Sequence, residues 1–162
     1  MREIEFRAKD YLCNWHYGSL IVEEHTKPTW EDLNCPATEI SYAIREKEKN
    51  NFINPYKNIE VMPHTICQYI GLKDKKGKKI FEGDIFKGIT EDTRETRYAV
   101  IKFGKYKDIN FEDSCYGFYF EYGREQFSLF NGEAEGYNLL KLIEIVGNIF
   151  DNPELLGESN EN

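Results

Sequence analysis

The sequence has no apolar run approaching the roughly 20 residues that cross a bilayer. Its opening, MREIEFRAKD, also lacks the apolar core of a secretory signal. The expectation is a cytoplasmic protein. Four cysteines, Cys13, Cys35, Cys67 and Cys115, are too scattered to form a disulfide framework, so they are read as free thiols that pack as small hydrophobes. Basic residues are outnumbered, 21 Lys and Arg against 29 Asp and Glu, for a formal net charge of −8. That balance opposes non-specific attachment to nucleic acid or anionic membranes, which depends on Lys and Arg replacing counterions. Ser19 and Ser41 have no nucleophile-elbow context, and neither a phosphate-cradling glycine loop nor a dinucleotide fingerprint occurs. No cofactor is expected.

What the 162 residues do contain is 40% hydrophobic, 15% aromatic and 31% charged side chains, enough for one core with a satellite subdomain. Eleven Tyr and eleven Phe favour pleated sheets, where flat rings pack across neighbouring strands. Ile4, Phe6 and Ala8 alternate with Glu5, Arg7 and Lys9, the two-residue period of a strand with one wet face. After a polar turn at Asp10, WHYGSLIV from Trp15 to Val22 reads as a second strand paired with the first, and Gly18 marks a bulge or a close backbone approach. Pro28 to Leu33 resembles a single capped helical turn. The tract EISYAIREKEKNN, Glu39 to Asn51, starts with strand-like alternation and then reads as a solvated helix end or loop.

The middle of the chain carries the clearest turn chemistry. Ile66 to Leu72 and Lys78 to Phe86 flank Asp74-Lys75-Lys76-Gly77, where Asp74 suits the first position of a type I turn and Gly77 the left-handed position that closes it. Gly83-Asp84 predicts a second sharp bend. Further strands are expected at Tyr98 to Phe103, Tyr116 to Tyr122, Phe127 to Phe130 and Leu139 to Phe150. Asn152, Pro153 and Gly157 have the order of cap, first turn and stop for a short terminal helix.

Several constellations could carry chemistry. Cys13 with His16, and His64 with Cys67, make a possible zinc set, but residues three apart on a strand point to opposite faces. The four are therefore read as ordinary residues, with no metal expected. Lys73, Lys75, Lys76, Lys78 and Lys79 form a basic hairpin tip able to touch phosphates, and Tyr116, Phe118, Phe120 and Tyr122 share one strand face that would offer a stacking groove if exposed. The plainer readings are a solvated turn and core packing. Glu82 with Asp84, and Asp108 with Glu112 and Asp113, are carboxylate groups without a histidine or nucleophile in motif context, so surface and turn roles are preferred to acid–base work and no enzyme is expected.

Three stretches, MREIEFRAKD, QYIGLKDKKGKKIFEGDI and IEIVGNIFDNPELL, together resemble the YopX family of phage and prophage proteins. The residues that carry the resemblance in the second and third include Gln68, Tyr69, Gly71, Asp74, Gly77, Glu82, Gly83, Asp84, Gly147, Asn148, Asn152 and Pro153. Trp15-His16-Tyr17-Gly18-Ser19 and Val61-Met62-Pro63 resemble one branch of that family. His64, Cys67 and Ile70 depart from its usual acid, glycine and threonine. The resemblance implies a fold related to SH3-type barrels and a gene carried by a phage or prophage, hence action in the bacterial host cell. It implies no activity.

The expected architecture is mainly β with short helices: an N-terminal strand pair and variable excursion over 1–62, then an SH3-like barrel with a C-terminal short helix over 63–162. The expected role is a non-enzymatic accessory protein that binds a host or phage protein or self-associates as a homo-oligomer. The alternative is a nucleic-acid-binding barrel using the lysine hairpin and an aromatic face. A metal- or carboxylate-dependent enzyme ranks third.

Overall fold

A computed structural model of the chain describes residues 4–27, 37–48, 53–89, 96–109, 112–129 and 143–157. The expected turn at Pro28 to Leu33, Cys35, and parts of the tracts ending at Asn51 and beginning at Leu139 lie outside these residues. The described chain is mainly β, as its aromatic and alternating composition predicts. Eleven strands are formed, β1 (Phe6–Lys9), β2 (Trp15–Lys27), β3 (Ala37–Lys47), β4 (Tyr56–Glu60), β5 (Cys67–Lys73), β6 (Lys79–Phe81), β7 (Asp84–Ile89), β8 (Thr96–Tyr106), β9 (Cys115–Tyr122), β10 (Glu125–Ser128) and β11 (Glu144–Asn148). One short helix, α1 (Glu154–Gly157), follows. The chain divides into two compact units, 1–68 and 69–162, with the division inside β5.

In the first unit the strand order is β4-β3-β2-β1-β5, all antiparallel. The strand pair foreseen at the N-terminus is β1 with β2, in register Phe6↔Gly18 to Lys9↔Trp15. The charged tract after Ile44 is not a helix end or loop up to Lys47. It continues β3 and pairs with β4 from Ala43↔Glu60 to Lys47↔Tyr56. Charges are tolerated there because Arg45 and Lys47 are exposed, while the backbone ladder and the Arg45 Nε–Asn58 Oδ1 bond at 3.0 Å hold the strand. A small core of Ala8, Ile44 and Val61, flanked by Phe6, Leu20, Tyr42 and Ile66, occupies one face.

Gly18 answers to a close approach. A Cβ on it would lie 2.1 Å from the Arg45 carbonyl oxygen, so only glycine lets β2 and β3 come together where their ladder begins. Past Val61 the chain turns away. Met62 N–H donates to Lys9 O at 2.8 Å, and a 3-10 turn at Pro63–Thr65 is pinned by Thr65 Oγ1, which accepts from Lys9 N–H at 2.9 Å and donates to Met62 O at 2.8 Å.

In the second unit β5 and β6 form the central hairpin, and β10-β9-β8-β7-β11 form an antiparallel sheet. The barrel closure implied by the family resemblance is corrected here: among the described residues the five-stranded sheet is open, with β10 and β11 as its two ends. Its face packs Ile70, Ile80, Phe86, Ala99, Ile101, Phe118, Leu129, Ile143 and Ile145 into one cluster. The foreseen bend at Gly83-Asp84 is built into this core. Gly83 N–H donates to Ile101 O at 2.8 Å, Ile149 N–H donates to Gly83 O at 2.9 Å, and the buried Asp84 Oδ2 accepts Phe81 N–H at 2.8 Å. Near the end, Leu155 N–H donates to Asn152 O and Leu156 N–H to Pro153 O, which starts α1 where Asn152 and Pro153 predict it.

Gly18→Ala is expected to destabilise the protein by about 1–3 kcal/mol, the order of an overpacked core position, because the clash is with backbone and cannot be relieved by a rotamer change. Denaturant midpoints of wild type and variant check this, and an unchanged midpoint would refute the close-approach explanation.

Candidate functional site

The four residues of the possible zinc set have other engagements. His16 stands between two carboxylates, with Nε2 3.0 Å from Asp10 Oδ2 and Nδ1 3.1 Å from Glu46 Oε1. Asp10 also accepts N–H bonds from Leu12 and Asn14, and these bonds, led by the one to His16, hold its carboxyl well below the usual carboxylate range. Cys13 is exposed, at a positive φ of 66° in the same turn. Cys67 is buried and its thiol donates to Thr65 O at 3.3 Å, while His64 is exposed. Among the described residues no group of three or more His, Cys, Asp and Glu converges on a cation site. The cluster that sequence spacing did not reveal is Asp10–His16–Glu46, a polar clasp linking the β1–β2 turn, β2 and β3; its members are 30 and more residues apart at the far end, beyond any motif window.

The lysine hairpin is a docked element. Asp74 is buried; its Oδ1 accepts the N–H groups of Lys76 and Lys78, both at 2.9 Å, and its Oδ2 accepts Ile145 N–H at 3.2 Å. Burial alone would raise the pKa of this carboxyl, but the three N–H bonds and nearby Lys78 outweigh it and keep it lowered. Gly77, at φ +80°, donates its N–H to Asp74 O at 2.9 Å and closes the turn as the type I reading expects. Lys75 N–H then reaches Ile143 O at 3.2 Å. With the turn seated on β11, Lys75 Nζ lies 2.6 Å from Glu144 Oε2 and Lys76 Nζ pairs with Glu144 Oε1. Lys79 Nζ sits 5.2 Å from the centre of the Tyr69 ring. Lys73 and Lys78 are exposed at the tip. Two of the lysines that sequence reading offered to phosphates are therefore already paired with a carboxylate.

The shared face of β9 is mostly core. Phe118 is buried, Phe120 stacks on Phe127 with centroids 4.9 Å apart, and Tyr122 packs against the same cluster. Tyr116, at the strand's end, is 75% exposed and meets the half-exposed Phe103 edge-on at 5.3 Å. On the opposite face Tyr119 stacks on Tyr106 at 4.8 Å, and burial pushes its phenol pKa up. The same opposite face carries a cavity of about 320 Å³, lined by Tyr98, Val100, Lys102, Glu121, Ile149 and Leu156. Lys102 Nζ lies 2.5 Å from Glu121 Oε1, and Gln126 Nε2 donates to the other oxygen at 3.3 Å. Burial would raise the Glu121 pKa, yet these two donors lower it. Alternation of Tyr98, Val100 and Lys102 in YAVIK was the sequence signal for this wall; that the terminal helix faces it was not encoded locally.

A fourth feature lies on the long ribbon of β2 and β3. Their ladder runs without a register break from Ser19↔Arg45 to Lys27↔Ala37, well past the end of β4. Leu20, Val22, Ile40, Tyr42 and Ile44 lie on one face, the face that buries Ile44 in the core, and the exposed Glu24 stands opposite Ile40 at its outer end. Farther out, Val22 and Ile40 are 56% and 52% exposed. The other face is polar, with His25 Nε2 3.0 Å from Ser41 Oγ and 3.7 Å from Glu23. The alternations in SLIVEEH and EISYAI carry this signal, but nothing in them says that the outer half stays uncovered.

A family model described as "YopX protein" matches residues 5–157. A solved structure similar to the chain, the crystal structure of protein EF1440 from Enterococcus faecalis, is 25% identical and superposes over 96% of this chain and 99% of that one with a TM-score of 0.45. No curated protein matches.

The paired lysines generate a pH prediction. Lys75 and Lys76 pull the Glu144 carboxyl down to about 2. A carboxyl with a depressed folded pKa contributes stability above its unfolded value near 4.5 and loses it as pH falls toward 2. In Glu144→Gln the fall in urea midpoint between neutral pH and pH 3 is expected to be shallower than in wild type. Identical acid profiles for the two proteins would show that the pairing contributes nothing.

Proposed function

Because the chain belongs to the YopX family, we propose that it is a phage- or prophage-encoded accessory protein working in the cytoplasm of the bacterial host. Its role in this reading is non-enzymatic: it binds another protein on the apolar face of the β2–β3 ribbon. One observation carries the reading. Val22 and Ile40 continue the alternation that buries Ile44, yet both are more than half exposed, so a face patterned for burial points outward. Large apolar side chains that continue a core stripe onto the surface are a mark of protein contact sites.

Two further observations support this over its rivals. Lys75 and Lys76 are engaged by Glu144, and the chain as a whole carries a net charge of −8, which weakens the case for nucleic acid. Of the five carboxylates that were candidates for acid–base work, Asp84 and Asp108 are buried and bonded to backbone, whereas Glu112 and Asp113 are exposed. Asp84 accepts Phe81 N–H, and Asp108, also buried, accepts Ser128 N–H at 2.6 Å. Among the described residues no helix is long and apolar enough to cross a membrane.

Val22→Lys places a charge in the centre of the ribbon face while leaving the small core at its base intact. Cross-linking in bacterial lysate, read by mass spectrometry, is expected to yield a reproducible adduct at the exposed Lys47 of the wild type that Val22→Lys lowers by about tenfold. Matching circular dichroism and unfolding midpoints establish that the variant folds. An adduct unaffected by Val22→Lys, or binding to single-stranded DNA that falls steeply with salt, would overturn the proposal.

A further inference from the structure

Among the described residues the ribbon also has an unpaired backbone edge, and the geometry points to what occupies it: we propose that the outer edge of β3, from residue 38 to Tyr42, accepts an extended segment of another protein, rich in alternating basic and apolar residues, as an added β-strand. This rests on the proposed binding role and names the kind of partner.

The last backbone link between β3 and the chain that follows β4 is Val61 N–H to Tyr42 O at 3.0 Å. The chain is then drawn off to Lys9 through Met62 and into the turn at Pro63–Thr65. The β2–β3 ladder nevertheless continues to Lys27↔Ala37. Among the described residues, no strand lies beside β3 from Ala37 to Ser41. In an antiparallel ladder the N–H and C=O of one residue point to the same side and alternate with those of its neighbours. Since the Tyr42 carbonyl points away from β2, the backbone groups of Ile40 and Thr38 do so as well. They form a row of donors and acceptors with the spacing that an incoming strand satisfies. A helix or a flat surface does not match such a row.

Side chains and charge narrow the occupant further. Ile40 flanks the open edge and is exposed next to Val22, so alternate residues of an added strand would rest against an apolar stripe. Glu24, opposite Ile40 in the ladder, is exposed on the same face, and Glu23, Glu39 and Glu60 are exposed on the other. An acidic segment would be repelled, and a second copy of this chain would bring the same acidic set against itself. Lysine or arginine at the alternate positions of the incoming strand would meet these carboxylates. The residue whose backbone faces outward at the centre of this edge is isoleucine rather than the lysine or proline that commonly guards one.

A labelled, end-blocked peptide of alternating lysine and valine serves as the probe, with a glutamate–valine peptide of the same length as its counterpart. Fluorescence anisotropy with the full chain at low salt is expected to show binding of the basic peptide and at least about tenfold weaker binding of the acidic one. Addition of the basic peptide should slow hydrogen exchange of the Ile40 amide. Ile40→Pro removes an outward N–H without breaking the ladder to β2 and is expected to weaken binding by about tenfold. If Ile40→Pro does not fold, the double reversal Glu24→Lys with Glu39→Lys, checked by circular dichroism, should reduce affinity for the basic peptide to a similar degree. Equal affinity for the two peptides, no change in Ile40 exchange, or no binding by the wild type overturns the proposal. Concentration-dependent dimers that disappear in Ile40→Pro would assign the edge to a second copy and overturn it too. Loss of the lysate adduct in Val22→Lys but not in Ile40→Pro would leave the ribbon face as a docking site and remove only the edge.

Discussion

The second unit of this protein turns on one buried carboxylate. Asp74 closes its own hairpin through Lys76 and Lys78 and, with its other oxygen, holds Ile145 of β11. Together with the bond from Lys75 N–H to Ile143 O, that last bond makes the hairpin tip more than a local turn. With it, the tip is seated where Ile143 and Ile145 enter the core beside Ile70 and Ile80. A buried carboxylate is tolerated only when its lone pairs are satisfied, and three backbone N–H groups achieve this here. The same seating brings Lys75 and Lys76 to Glu144, so the charge of the tip is a consequence of the docking and not an independent feature.

The first unit is governed by a different constraint, the contact of two backbones. Gly18 lets β2 approach β3 within reach of the Arg45 carbonyl, and from that point the two strands run on together beyond their neighbours. A two-stranded ribbon gains little stability by itself in water. The ribbon's inner half is anchored by Leu20 and Ile44 in the core, whereas its outer half keeps Val22 and Ile40 exposed and, among the described residues, an unpaired edge. The proposed binding role and the proposed partner both follow from that division of one ribbon into an anchored half and an exposed half. The Asp10–His16–Glu46 clasp lies at the anchored end, where it ties β2 and β3 to the preceding turn.

The sequence by itself determined the local chemistry: the mainly β class, the pairing of β1 with β2, the turn at Asp74 and Gly77, the bend at Gly83-Asp84, the start of the last helix at Asn152 and Pro153, and the family. All of these but the family depend on side-chain alternation or on turn geometry within a few residues, and both are written in consecutive positions. Only the tertiary structure decided that the charged tract through Lys47 is a strand, that the five-stranded sheet stays open, and that two lysines of the tip belong to Glu144. It also decided that Val22 and Ile40 are left uncovered while Ile44, on the same face, is buried. These outcomes depend on which distant strand lies alongside and where it ends. Pairing partners 13 to more than 60 residues apart leave no periodicity in the chain for a sequence reading to follow.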